Sequence, residues 1–199
     1  CNITNDYNVK IWEIGNEACF TSKNGVHPAI PVTEFADYVN LFANAMKAVD
    51  PNIKIVANWL GKTWHGDWET LLTNAGNNID YVDVHWYYYS GWDNFLSQAD
   101  MRHLNTDWED SYIAQAEKFY ADMNSWGYPD VGIICVEWNM SKYNGVTLTP
   151  FQVALMSSEY IGQFIKGKLV GTALWPMNSN KPGSEYFTER YLFEPINLE

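Results

Sequence analysis

Short β-branched runs alternate with longer segments whose apolar positions recur at helical spacing, from one end of the chain to the other. The runs predict strands at Val9 to Ile14, Ile53 to Asn58, Tyr81 to Tyr87, Val131 to Val136 and Leu169 to Trp175. Between the first two, Thr33 to Val49 sets Phe35, Tyr38, Val39, Phe42, Ala43, Met46 and Val49 on one helical stripe, and Asp50-Pro51 ends it. A shorter helix over Asp67 to Ala75 is stopped by Gly76. A third runs from Glu109 to Ser125 with Tyr112, Ile113, Ala116, Phe119, Tyr120 and Met123 on its apolar face and Gly127 beyond its end. The fourth opens with Thr149 as N-cap, Pro150 at the first helical position and Gln152 three residues after the cap, and stops at Gly167.

Strands alternating with helices, with no hairpin signal between them, imply an α/β fold: parallel strands joined by right-handed crossovers, with the helices outside. Either an open doubly wound sheet or a (β/α)8 TIM barrel satisfies this. An open sheet that binds nucleotides needs a Gly-rich turn between a strand and a helix. Gly15 follows the first strand, yet no GxGxxG or GxxxxGK[ST] occurs. A barrel instead places its chemistry on side chains at the C-terminal strand ends, and polar residues gather there: Asn16 and Glu17, Asn58, His85 and Tyr87, Glu137 and Asn139, Asn178. The barrel is favoured. Its five strands start about 40 residues apart, so eight such units would need roughly 320 residues, and complete barrels use about 250. The 199 residues therefore read as one domain, a partial barrel over 1–199, with its earlier units expected ahead of Cys1.

Charge and composition narrow the partners. There are 24 acidic against 12 basic side chains, a net charge of -12, and no run of Lys or Arg to track phosphates, which excludes nucleic acid as a partner class. No apolar stretch approaches the ~20 residues of a membrane helix, so no membrane partner is expected; no signal peptide opens the chain, and secreted and cytoplasmic locations both stay open. Cys1, Cys19 and Cys135 are odd in number and lack CxxC spacing, and His27, His65 and His103 form no HxxxH or HExxH, so neither a metal nor another cofactor is expected. The excess is aromatic: 10 Trp, 13 Tyr and 9 Phe. Trp59, Trp64, Trp68, Trp92 and Trp108 lie in polar surroundings, where flat apolar faces suit sugar rings better than a core.

Two carboxylates stand at or just past runs that a parallel sheet would bury, in Trp12-Glu13-Ile14-Gly15-Asn16-Glu17 and in Cys135-Val136-Glu137-Trp138-Asn139. An uncompensated buried charge costs several kcal/mol. Glutamates 120 residues apart, both at C-terminal strand ends, can meet across a barrel mouth, the arrangement that glycoside hydrolysis needs: one acid to protonate the leaving oxygen, one carboxylate for the anomeric carbon or its water.

These words resemble those of the retaining glycoside hydrolases of clan A. Gly15-Asn16-Glu17 is similar to the Gly-Asn-Glu that closes barrel strand four, His85-Trp86-Tyr87 to the His-x-Tyr of strand six, and Glu137-Trp138-Asn139 to the Glu-Trp-Asn of strand seven, with Ala173 to Asn178 as strand eight. The chain would then supply strands four to eight. Family 51 α-L-arabinofuranosidases are nearest by these motifs, with agarase-type family 86 and family 39 close behind. The resemblance implies Glu17 as acid/base, Glu137 as nucleophile and Asn16 as a hydrogen-bonding partner of the sugar 2-OH. His85 and Tyr87, two apart on one strand, share a face; on that parity Tyr87 would orient Glu137 and His85 would line the sugar site, with Trp175 as stacking platform. Val136 stands where family 51 usually has Asp, and Trp175-Pro176 is also less typical of it, so the sugar is left open. An Arg and aromatics from early strands help hold nucleophile and substrate in this clan, so the isolated chain is expected to lack activity. The function implied is hydrolysis of plant or algal polysaccharides or their oligomers. The alternative is a silent fragment that binds carbohydrate or self-associates as a homo-oligomer through open barrel edges.

Overall fold

The computed structural model describes residues 8–20, 28–59, 67–89, 112–141 and 150–174. Five strands, β1 (Ile11–Ile14), β2 (Lys54–Ala57), β3 (Tyr81–Tyr89), β4 (Gly132–Ser141) and β5 (Gly171–Leu174), alternate with helices α1 (Val32–Val49), α2 (Asp67–Ala75), α3 (Tyr112–Ser125) and α4 (Pro150–Lys166). A 3-10 turn, Gly76–Asn78, leads from α2 towards β3. The sheet order is the chain order, β1-β2-β3-β4-β5. β1 pairs with β2 in parallel (Ile11 opposite Lys54, Ile14 opposite Ala57), and β2 with β3 in parallel (Val56 opposite Tyr81). An order that never reverses has no switch point, so the topology is that of successive barrel units and not of a doubly wound sheet. No helix among the described residues is long and apolar enough to cross a membrane.

Two compact units divide the chain, Cys1–Val84 with Lys118–Ile134, and His85–Glu117 with Cys135–Glu199. In the first, α1 buries Phe35, Ala36, Val39 and Ala43, and α2 buries Trp68, Leu71, Leu72 and Ala75. Trp68 meets Phe119 of α3 with ring centroids 5.4 Å apart. The single apolar stripe expected for α1 is in fact two. Tyr38, Phe42 and Val49 are exposed together with Leu41, because the helix turns only the Phe35–Val39–Ala43 face inward. Trp59 and Trp68, read from their polar neighbours as sugar-facing, are core residues at 4% and 0% exposure; polar flanks in sequence do not tell which way a side chain points. At the N-terminal side of β2 and β3, the Asp80 carboxylate accepts from Lys54 Nζ (2.6 Å), Lys47 Nζ (3.2 Å) and the Ile55 amide (3.0 Å).

The second unit is held by an aromatic cluster. Trp86 of β3 stacks on Tyr112 of α3 at 4.9 Å and 1° between planes, and lies 5.8 Å from Phe164 of α4. Trp138 of β4 meets Phe164 edge-on at 5.4 Å and Tyr160 at 5.9 Å. Each such pair is worth about 0.5–1.5 kcal/mol beyond area burial, enough to lock both strands to the helix layer.

Helix ends depart from the expected stops in one instructive way. α3 ends as predicted: Gly127 is left-handed (φ +93), and the Tyr128 amide reaches back to the Met123 carbonyl at 2.9 Å, a Schellman closure. After α4 the same closure, Leu169 N–H to Phe164 C=O at 3.0 Å, puts Lys168 and not Gly167 in the left-handed position (φ +60). Gly167 is there for crowding, since a Cβ would lie 3.1 Å from the Ala116 Cβ. Strand limits differ too. β1 starts at Ile11, because Asn8 is left-handed (φ +50) and pairing begins only with Lys54. β4 runs four residues past Glu137.

Candidate active site

Glu17 is placed by the turn that leaves β1. Gly15 has φ +85, and a Cβ there would lie 2.7 Å from the Phe35 ring and 2.9 Å from the Asn58 carbonyl, so only glycine lets the chain pass between α1 and the end of β2. Asn16 follows, exposed, and Glu17 itself is left-handed at φ +49 and half-buried. A non-glycine residue in that region costs about 1–3 kcal/mol and needs its surroundings to hold it. The Glu17 amide donates to Asn58 Oδ1 at 2.5 Å, and the Glu17 carbonyl accepts from Phe20 N–H at 2.9 Å. Cys19 N–H donates to the Trp59 carbonyl at 3.1 Å, and Ile30 N–H to the Ala18 carbonyl at 2.9 Å. Burial, followed by the charge of Glu17, pushes the Cys19 thiol up to about 11.

Glu137 is placed by strand parity. Neighbouring residues of a strand point to opposite faces. Trp138 and Trp86 are committed to the helix layer, so Glu137 and His85 face the other side of the sheet. There His85 Nδ1 lies 3.4 Å from Glu137 Oε2, with the imidazole almost wholly buried (side chain 1% exposed) and the carboxylate at 19%. The Cys135 thiol, on the same face, donates to the Glu137 carbonyl at 3.4 Å. A buried imidazole beside a carboxylate can donate a hydrogen bond to it when neutral, or neutralise it when protonated.

The structure thus brings together two of the sequence-selected residues, His85 and Glu137. Tyr87 lies in β3, but its side chain is outside the described residues, as is the whole of Trp175. Trp86 packs on the helices. Glu17 belongs to the first unit, and Glu137 and His85 to the second. Two residues that matter for Glu17 are Asn58, read from the sequence only as a polar strand-end residue, and Asp83, not singled out there at all; both are 0% exposed. The signal was present, a carboxylate inside the β-branched run Tyr81-Val82-Asp83-Val84, where a buried charge demands partners.

Comparison with known proteins gives the context. No protein-family model matches the chain. An intracellular exo-α-(1→5)-L-arabinofuranosidase of Bifidobacterium longum is 28% identical over 141 residues, 66% of this chain and 24% of that protein. The chain therefore spans about a quarter of the length of the curated relative it matches. An α-L-arabinofuranosidase from Thermotoga maritima, solved as an arabinose complex, superposes with a TM-score of 0.64 at 22% identity over 85% of this chain and 34% of that one. A glucosidase from Croceicoccus marinus gives 0.66 at 18% identity over 92% and 36%. These likenesses show the fold, an α/β chain matching part of a TIM barrel. By fold and by sequence, then, the chain is similar to part of an α-L-arabinofuranosidase.

Proposed function

We propose that the protein carrying this chain is a retaining glycoside hydrolase that cleaves O-glycosidic bonds of a plant or algal polysaccharide or its oligomers, with Glu137 as nucleophile and Glu17 as acid/base. In the first step a Glu137 oxygen bonds to the anomeric carbon while the glycosidic C–O bond breaks, and the departing oxygen takes the Glu17 proton. Water then attacks the glycosyl ester, Glu17 takes its proton, and Glu137 leaves as carboxylate. His85, beside Glu137 Oε2, would hold that carboxylate in place and balance its charge before attack. Asn16 is assigned the 2-OH of the sugar, with Tyr87 and Trp175 completing the subsite. The single observation that carries the reading is Glu137 held by a buried imidazole on the sheet face opposite the aromatic helix layer. Likeness to an arabinofuranosidase makes aryl α-L-arabinofuranosides the first probes, with aryl glucosides and xylosides beside them.

The experiment is azide trapping. In the protein carrying this chain, Glu17→Ala with azide should give a glycosyl azide of the substrate's anomeric configuration, and Glu137→Gly one of the opposite configuration. Normal turnover by Glu137→Gly would overturn the assignment.

The second reading, a non-catalytic segment that self-associates, draws on exposed apolar side chains: Ile11 on β1, Leu41, Phe42 and Val49 on α1, and Phe151, Leu155 and Ile165 on α4. Sizing chromatography separates the two, since a concentration-independent monomer counts against self-association.

A further inference from the structure

Beneath Glu17 lies a buried polar relay that belongs wholly to the first unit. The Asn58 side chain is 0% exposed; its Nδ2 donates to Asp83 Oδ2, and its Oδ1 accepts from the Glu17 amide. An asparagine amide is ambiguous, one end donor and the other acceptor, and either could face the Glu17 loop. A carboxylate only accepts. Asp83, 0% exposed on β3, therefore fixes which end is which: it takes the NH2 group and leaves the oxygen for Glu17 N–H. The backbone of Asn58 is fixed as well, by its N–H to the Ile14 carbonyl at 3.1 Å and by the close approach of Gly15 to its carbonyl. Glu17 stands in a left-handed conformation that costs free energy, and this hydrogen bond offsets the cost.

We infer that Asp83 and Asn58 are positioning residues for Glu17: Asp83 orients the Asn58 amide, and Asn58 clamps the Glu17 backbone so that its carboxyl is aimed as a proton donor. This rests on the reading of Glu17 as acid/base. The geometry makes a sharp distinction among variants. N58D alone retains an acceptor for Glu17 N–H but sets a carboxylate against buried Asp83, which disrupts the relay. D83N alone removes the orienting carboxylate. The exchange N58D/D83N restores it, since the new carboxylate accepts from both Glu17 N–H and the new amide.

The test uses the protein carrying this chain, with two readouts. The first needs no activity, namely hydrogen exchange of the Glu17 amide. Breaking the relay should speed it about tenfold or more, a loss of roughly 1.4 kcal/mol of protection, in N58D and D83N, with recovery in N58D/D83N. The second compares phenyl and 2,4-dinitrophenyl α-L-arabinofuranosides. A dinitrophenolate departs without a proton, and kcat/KM reports the first step alone, so a misaimed acid lowers kcat/KM for the phenyl substrate by about tenfold to a hundredfold and leaves kcat/KM for the dinitrophenyl substrate nearly unchanged, and the exchange variant recovers. Equal losses in kcat/KM on both substrates, or no recovery in N58D/D83N, overturn the positioning role. E17Q separates this from the underlying reading. If E17Q shows the leaving-group dependence and the relay variants do not, the relay proposal alone fails. If E17Q does not show it, or no aryl arabinofuranoside is turned over, the acid/base reading fails and the catalytic role of the relay fails with it, whatever the exchange rates show.

Discussion

Replacing Gly76 by alanine should destabilise the protein by about 1–3 kcal/mol through one steric contact. Gly76, itself buried, opens the 3-10 turn between α2 and β3, the strand that carries Asp83 and His85. An alanine Cβ would sit 2.7 Å from Tyr128 Cδ1 and 2.8 Å from Cζ, and closer still to Cε1. Carbon atoms rest at about 3.5–4.0 Å, so the ring would have to retreat by about 1 Å. It cannot withdraw by backbone motion, because the Tyr128 amide is tied to the Met123 carbonyl at 2.9 Å and its carbonyl to Val131 N–H at 3.3 Å. Either the turn shifts or the ring swings away from its packing. In urea denaturation, with a slope of about 2 kcal/mol/M, the midpoint should fall by roughly 0.5–1.5 M with the slope unchanged. In a Tyr128→Ala background the same change should cost less than about 0.5 kcal/mol, which a double-mutant cycle reads directly. An equal cost in both backgrounds would refute the steric argument and leave backbone conformation as the cause.

Gly162→Ala places a methyl where nothing lies within 4 Å, inside α4, and should stabilise by about 0.5–1 kcal/mol in the same assay. Lys168→Gly, which relieves a left-handed lysine, should stabilise by about 1 kcal/mol. Asp80 is held below the usual carboxylate range. Burial acts to raise it, but the hydrogen bonds from Lys54, Ile55 and Lys47 together outweigh burial. A depressed carboxylate contributes stability that is present above its unfolded value and lost as pH falls through its folded one, so an Asp80→Asn variant should differ most from the parent near neutral pH and converge with it in acid. Cys19, pushed up to about 11 by burial and then by Glu17, should react with iodoacetamide at pH 8 roughly tenfold slower than an exposed thiol, the lost thiolate being partly repaid in nucleophilicity; Glu17→Gln should speed it.

What the sequence determined on its own is the succession of elements. Period-2 runs of β-branched residues and 3.6-period stripes are local, so α2 falls on Asp67–Ala75 as predicted and the alternation reads directly as parallel α/β. The motif words were legible for the same reason: glycine, asparagine and glutamate in sequence at a strand end are a local pattern, and the chain turns there through two left-handed residues. Direction was not legible. Tyr38 and Phe42 keep perfect helical spacing with Val39 and Ala43 yet face outward, since only packing says which side of a helix meets the sheet. Trp59 and Trp68 lie among polar neighbours yet are core. Tertiary structure alone showed that His85 lies beside Glu137, because the two stand 52 residues apart in sequence and on different strands. It alone showed why Asp83 is tolerable inside β3. Its partner Asn58 stands 25 residues away in sequence, and contacts at that separation leave no local pattern to read.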